Sequence, residues 1–245
     1  MKRIILLLLA LVLLITSANA QKTYVLLIGI SNYGMTEDVN LLYPVKDVKE
    51  LKQVFKKQNY TVATITGKYA TPQNIETKLD AIMKLAKPSD RIIVFFSGHG
   101  GSGAVACYQG EPLTYNALAG ILSKAKTQQV FCFIDACHSG SALSSVLSGS
   151  SQLQGTKPVF ITACRPEEVS ADMAFIENGL FTQSMLKGLR GKADANRDHQ
   201  ITLIELFKYI HKDVTSKLKD KPLERQMHPQ LIGSTSLYNI ILTKW

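Results

Sequence analysis

The 245-residue chain contains no C-x-x-C pair and only four cysteines, Cys107, Cys132, Cys137 and Cys164. Neither a thiolate zinc site nor a small stapled scaffold is indicated by that spacing. No G-x-S-x-G segment is present, which removes the serine-hydrolase elbow. No apolar run reaches the roughly 20 residues that span a bilayer. Basic residues outnumber acidic ones, 28 to 19, yet no aromatic–basic interleaving or nucleic-acid motif goes with them. The lysines between Lys46 and Lys57 and between Lys208 and Lys221 fall at helix-face spacings, as on a solvated surface. No nucleic-acid partner is expected.

The longest apolar run, Ile4 to Ile15, follows Lys2 and Arg3 and precedes Ala18-Asn19-Ala20. A charged start, a short apolar stretch and an A-x-A site describe a secretory signal peptide over 1–20, with an uncleaved anchor as the competing reading. Export implies a periplasmic or extracellular protein with no membrane span in its mature part. That part begins at Gln21 and has 225 residues, and loss of Lys2 and Arg3 lowers the formal charge from +9 to +7. Residues 21–245 suit one α/β domain.

Strand-like and helix-like segments alternate along it. Tyr24–Ile30, Tyr60–Thr66, Arg91–Phe96, Val130–Ile134 and Pro158–Ala163 read as strands. Helical patterns occupy Val45–Gln58, Thr71–Ala86, Thr114–Lys126, Asn178–Arg190 and Thr202–Lys219, and Ser236–Thr243 reads as a last strand. Thr71-Pro72 is a helix start, with Thr71 as N-cap and Pro72 at the first helical position. The alternation predicts a mostly parallel sheet with helices on both faces. Ser139 to Thr156, rich in Ser and Gly and without charge, reads as a loop, or as a loop holding a short helix over Ala142–Leu147.

Two apolar strands end in small residues. Ser97-Gly98-His99-Gly100 follows Arg91–Phe96, and Asp135-Ala136-Cys137-His138-Ser139-Gly140 follows Val130–Ile134. Ligands bind at the carboxyl edge of an open α/β sheet. A cysteine and a histidine delivered there are what thiol catalysis requires. Cys137 attacks the carbonyl carbon, while His99 balances the thiolate and protonates the leaving amine. The amides of Gly100 and Cys137 form the oxyanion hole. Gly98 to Gly103 also fits G-x-G-x-x-G, but Gly110 and Pro112 interrupt the helix that a dinucleotide site needs.

These motifs, about 40 positions apart, resemble those of caspase-like cysteine peptidases, metacaspases in particular. Val25 to Tyr33 resembles the first strand of that family, and Leu42 to Val48 its N-D-V segment with Lys46 in place of Asn. Gly179-Leu-Phe-Thr182 resembles its G-x-F-T element. The resemblance implies a caspase-like three-layer sandwich with a mostly parallel sheet and an antiparallel last strand. It implies cleavage after Arg or Lys, with Asp135, Asp47 and Ser97 forming the substrate-binding pocket. Left open are Asp135 as a local cap and Asp47 as ordinary helix surface. A silent peptide-binding module and a transpeptidase or ligase on the same scaffold are the functional alternatives.

No cofactor is required for such chemistry. Asp194 to Glu205 nonetheless fits a twelve-position calcium loop, with oxygen ligands from Asp194, Asn196, Asp198, Gln200 (a main-chain carbonyl) and Glu205. His199 stands where Gly is usual and must bear positive φ. The alternative is a degenerate helix-connecting loop.

The stretch after Cys137 contains no Arg or Lys before Lys157, which Pro158 follows. An enzyme cutting after basic residues therefore has no good site there to cut itself. Intact-mass analysis of active enzyme is expected to give a single chain running through Ser139–Thr156. A Cys137-dependent cut there, arising together with activity, refutes both single-chain action and basic specificity.

Overall fold

The computed structural model describes residues 21–101, 103–137, 139, 155–165 and 179–245. The signal peptide expected at 1–20 and most of the Ser/Gly-rich stretch after Cys137 lie outside the described residues. In chain order the strands and α-helices are β1 (Thr23–Gly29), α1 (Pro44–Lys57), β2 (Thr61–Thr66), α2 (Pro72–Leu85), β3 (Arg91–Ser97), β4 (Gly100–Gly101), β5 (Ala104–Ala106), β6 (Pro112–Thr114), α3 (Tyr115–Leu122), β7 (Gln129–Asp135), β8 (Val159–Thr162), α4 (Leu180–Lys187), β9 (Gln200–Thr202), α5 (Leu203–Leu218), β10 (Gln230–Ile232) and β11 (Ile241–Lys244).

The central sheet has six strands in the order β10-β8-β7-β3-β1-β2. All pair in parallel except β10, which runs antiparallel to β8. Its strands are apolar almost throughout because both faces are covered. Alternation along β3 and β7 sorts their side chains. Ile92, Val94, Phe96, Cys132 and Ile134 join α2 and α3 on one face, while Ile93, Phe95, Phe131 and Phe133 join α1, α4 and α5 on the other. Three layers result. Period two then sends Ser97 and Asp135 to the face of Phe95 and Phe133, toward α1 and α4.

The helices start as their sequences dictate. Thr71 accepts from the Asn74 amide at the head of α2, and Thr202 and Glu205 make a reciprocal capping box on α5. In α1 the buried positions Asp47, Val48, Leu51, Val54 and Phe55 form one stripe against the sheet. Asp47 thus belongs to the core-facing side, not to ordinary helix surface.

Two small sheets complete the fold. β4, β5 and β6 form an antiparallel sheet directly after β3. Strands of two or three residues carry too little periodicity to be read from sequence. The tail contributes less strand than expected: only Ile241–Lys244 is extended, and it pairs with β9 outside the central sheet. The sheet's antiparallel edge is β10 instead.

Candidate active site

The chain runs from β1 outward to β2 and then returns to place β3 on the other side of β1. The strand order therefore reverses between β1 and β3, the place where open α/β sheets form a crevice beyond the carboxyl ends of their strands. Three segments meet at it: the loop after β1, the turn after β3 that carries His99, and the turn after β7 that carries Cys137. Main-chain bonds tie them together, Ile30 N–H to the Ser97 carbonyl at 3.1 Å and Gly98 N–H to the Asp135 carbonyl at 3.2 Å.

His99 is held from two sides. Its main-chain N–H donates to the Tyr33 hydroxyl at 2.6 Å, and the two rings lie with centroids 5.0 Å apart. Its Nε2 lies 2.7 Å from the Val39 carbonyl oxygen. A carbonyl only accepts, so Nε2 bears the proton and Nδ1 is left as the basic nitrogen. Neither Tyr33 nor the Val39 carbonyl was identified from sequence as part of the site. Tyr33 stands in the sequence only as the end of the first-strand motif, and a main-chain carbonyl has no residue signature.

Gly100 brings the histidine turn against the cysteine turn. A Cβ built there would stand 2.5 Å from the Cys137 carbonyl oxygen and 2.8 Å from the Ala136 Cβ. Only glycine permits that approach. Cys137 is partly exposed, whereas Cys107 and Cys132 are wholly buried. Burial pushes both of those thiols up, so they stay protonated.

Beside the cysteine turn lie two buried carboxyls, Asp47 and Asp135, each 4% exposed. Ser97 Oγ donates to Asp47 Oδ2 at 3.1 Å. Asp135, the parallel-register partner of Ser97, accepts at Oδ2 from the Thr182 N–H at 3.1 Å and the Thr182 hydroxyl at 2.5 Å. Among the described residues the side-chain ion pairs are Arg190–Glu50 and Lys217–Asp213, and neither aspartate takes part in one. Burial and then the neighbouring Asp135 charge raise Asp47 to about 8, against the small pull of the Ser97 bond. Burial likewise raises Asp135 to about 7, opposed by the two Thr182 bonds. The arrangement is a pair of buried carboxyls without an ion-pair partner among the described residues.

The loop from Asp194 to Glu205 lies elsewhere. Asp194 and Asn196 accept from the amides of Asp198 and His199, and Asp198 accepts from the Gln200 amide. Glu205 Oε2 accepts from the Thr202 N–H and hydroxyl. His199 has φ +61°, the turn its position demands, and its ring meets Trp245 edge-on. Among the described residues no group of three or more His, Cys, Asp or Glu side chains is arranged to hold a metal ion. The loop is fastened to β11, whose Ile241 carbonyl accepts from Arg91 at the amino-terminal end of β3. It therefore sits at the opposite sheet edge, roughly 20 Å from the crevice by strand length.

Comparison with known proteins agrees with this architecture. A family model described as the caspase domain (Peptidase_C14) matches residues 22–235, and the chain belongs to that family of cysteine-type peptidases. Among solved structures, protein GSU0716 from Geobacter sulfurreducens has the same fold. The TM-score is 0.62 at 18% identity, covering 89% of this chain and 97% of that one. No curated protein matches the chain. No helix among the described residues is long and apolar enough to cross a membrane.

The buried acids have a stability consequence. Their folded pKa values lie above the unfolded value of 3.8, so between about pH 4 and 8 these two groups bind more protons in the folded chain than in the unfolded one. Their contribution to stability therefore declines as the pH rises across that window. Asp47→Asn removes one of the two charges. It is expected to raise the thermal midpoint at pH 8 by a few degrees, on the order of 1–2 kcal/mol, and to change little at pH 5. Thermal melts at the two pH values check this.

Proposed function

We propose that the protein is an exported cysteine endopeptidase that hydrolyses peptide bonds after Arg or Lys through Cys137 and His99. The observation that carries the specificity is the buried pair Asp47 and Asp135 beside the cysteine turn. Two buried carboxyls, without a cationic partner among the described residues, fit a guanidinium or ammonium group better than any acidic or apolar side chain.

In this mechanism the substrate's basic side chain enters between Asp47 and Asp135 and lays its carbonyl carbon over Cys137. His99, its Nε2–H held by the Val39 carbonyl, presents Nδ1 to the thiol proton and later returns it to the leaving amine. The Gly100 and Cys137 amides receive the oxyanion. Water, activated by the same nitrogen, then releases the acid product. No cofactor enters the cycle. Calcium at Asp194–Glu205, where bound, acts on the stability of the β9–β11 edge and not on chemistry some 20 Å away.

Purified protein is to be incubated with a peptide library, with and without calcium, and products identified by mass. Cleavage after Arg and Lys is expected in both conditions, with kcat/KM rising between about pH 7 and 8 as the two acids of the free enzyme ionise. Cys137→Ala and His99→Ala are each expected to abolish turnover while the fold persists. Asp135→Asn should weaken cleavage after Arg by roughly thirtyfold or more, the loss of a buried charge partner. Preference for Asp or Asn substrates would defeat the pocket assignment, and wild-type turnover in either Ala variant the mechanism. An added amine nucleophile tests transpeptidation in the same assay.

A further inference from the structure

Helix α4 begins without a cap of its own. Gly179 stands at its N-cap and makes no side-chain hydrogen bond. A Cβ there would sit 3.3 Å from Gln183 Nε2 and 3.4 Å from the Tyr43 ring, so a capping side chain would crowd the approach to α1. The first-turn N–H groups of a helix need outside acceptors. Asp135, arriving from β7, supplies one: its Oδ2 takes the Thr182 N–H and the Thr182 hydroxyl together. Thr182 is wholly buried, so neither bond is shared with solvent.

We propose that Thr182 is a positioning residue for Asp135: by donating twice to Oδ2 it favours this carboxylate's ionised form and turns it so that Oδ1 serves the substrate's cation, and so sets the affinity for Arg and Lys. This rests on the reading of Asp135 as the substrate's charge partner.

The chemistry is asymmetric. A main-chain N–H can only donate, so it bonds well to a carboxylate and poorly to the O–H of a protonated acid. Two donors on one oxygen therefore favour the charged form. The other groups near Asp135 do not. Asp47 on α1 repels its charge, Glu50 and Lys46 of that helix act on Asp47 with opposite signs, Ser97 on β3 gives its hydroxyl to Asp47, and Thr162 and Ala163 of the β8 end are neutral. The Thr182 bonds are what oppose burial at Asp135. Thr182 closes the G-x-F-T element, to which the reaction itself assigns no part.

The test compares Thr182→Val, which keeps the N–H and deletes the hydroxyl, with Thr182→Ser, which keeps both. Kinetics on an Arg peptide are followed from pH 5.5 to 9.5, with thermal midpoints alongside. Thr182→Val is expected to lower kcat/KM at pH 7 by about tenfold to a hundredfold, mainly through KM. It should also move the acidic limb up by about one pH unit, and Thr182→Ser should restore both. In an Asp135→Asn background Thr182→Val should add nothing further. Should Thr182→Val not fold, benzamidine affinity against pH in Thr182→Ala and Thr182→Ser reads the same shift. An unmoved acidic limb and KM, with only a lower thermal midpoint, reduces Thr182 to a structural cap and overturns the proposal. Wild-type enzyme indifferent to Arg and Lys overturns the underlying specificity reading instead, so the two failures are told apart.

Discussion

Everything at the crevice depends on the in-register parallel pairing of β3 with β7. That register sets Ser97 opposite Asp135 and, two residues further along each chain, the turn of His99 beside the turn of Cys137. Because strand side chains alternate, the same pairing that buries Phe95 and Phe133 against α1 and α4 aims Ser97 and Asp135 at those helices. A one-residue slip would turn the polar side chain of the slipped strand into the other, almost wholly apolar layer. The packing of the sheet and the polarity of the crevice are therefore one constraint.

The crevice is not built for stability. A polar group buried without compensation costs free energy, and two carboxyls within reach of each other cost more. The fold meets part of that cost locally. Ser97 donates to one acid, and the uncapped start of α4 donates to the other. Helix termini need acceptors and buried acids need donors, so each defect relieves the other. The remainder has no charged partner among the described residues.

Much of this was legible in the sequence for definite reasons. Strands covered on both faces are apolar runs, and Thr71-Pro72 and Thr202-x-x-Glu205 mark helix starts through hydrogen bonds that local residues alone create. His99 and Cys137 stand where such runs break into small residues. Asp135 does act as a cap, since its Oδ2 takes the Thr182 N–H and hydroxyl in the first turn of α4. What escaped was non-local or too short. The strands Gly100–Gly101 and Ala104–Ala106 have no usable period. The extended run near the carboxyl end looks like any edge strand, and its pairing with Gln200–Thr202 is decided by Arg91 and Tyr60 reaching for its carbonyls. Asp47 is the instructive case: it shares the stripe of Val48, Leu51 and Phe55, where a charge signals a buried polar contact.

The acceptor that orients His99 is a main-chain oxygen, that of Val39. Side-chain replacement at residue 39 leaves that oxygen in place, so an alanine scan across the whole protein would pass over it in silence. What has to be preserved is a path length: the number of residues between the end of β1 and the start of α1, and the turn they take. At residue 39 the site is thus tolerant of substitution, while the loop as a whole is intolerant of insertion or deletion. A histidine aligned in this way is specified by geometry, with no letter of the sequence to mark it.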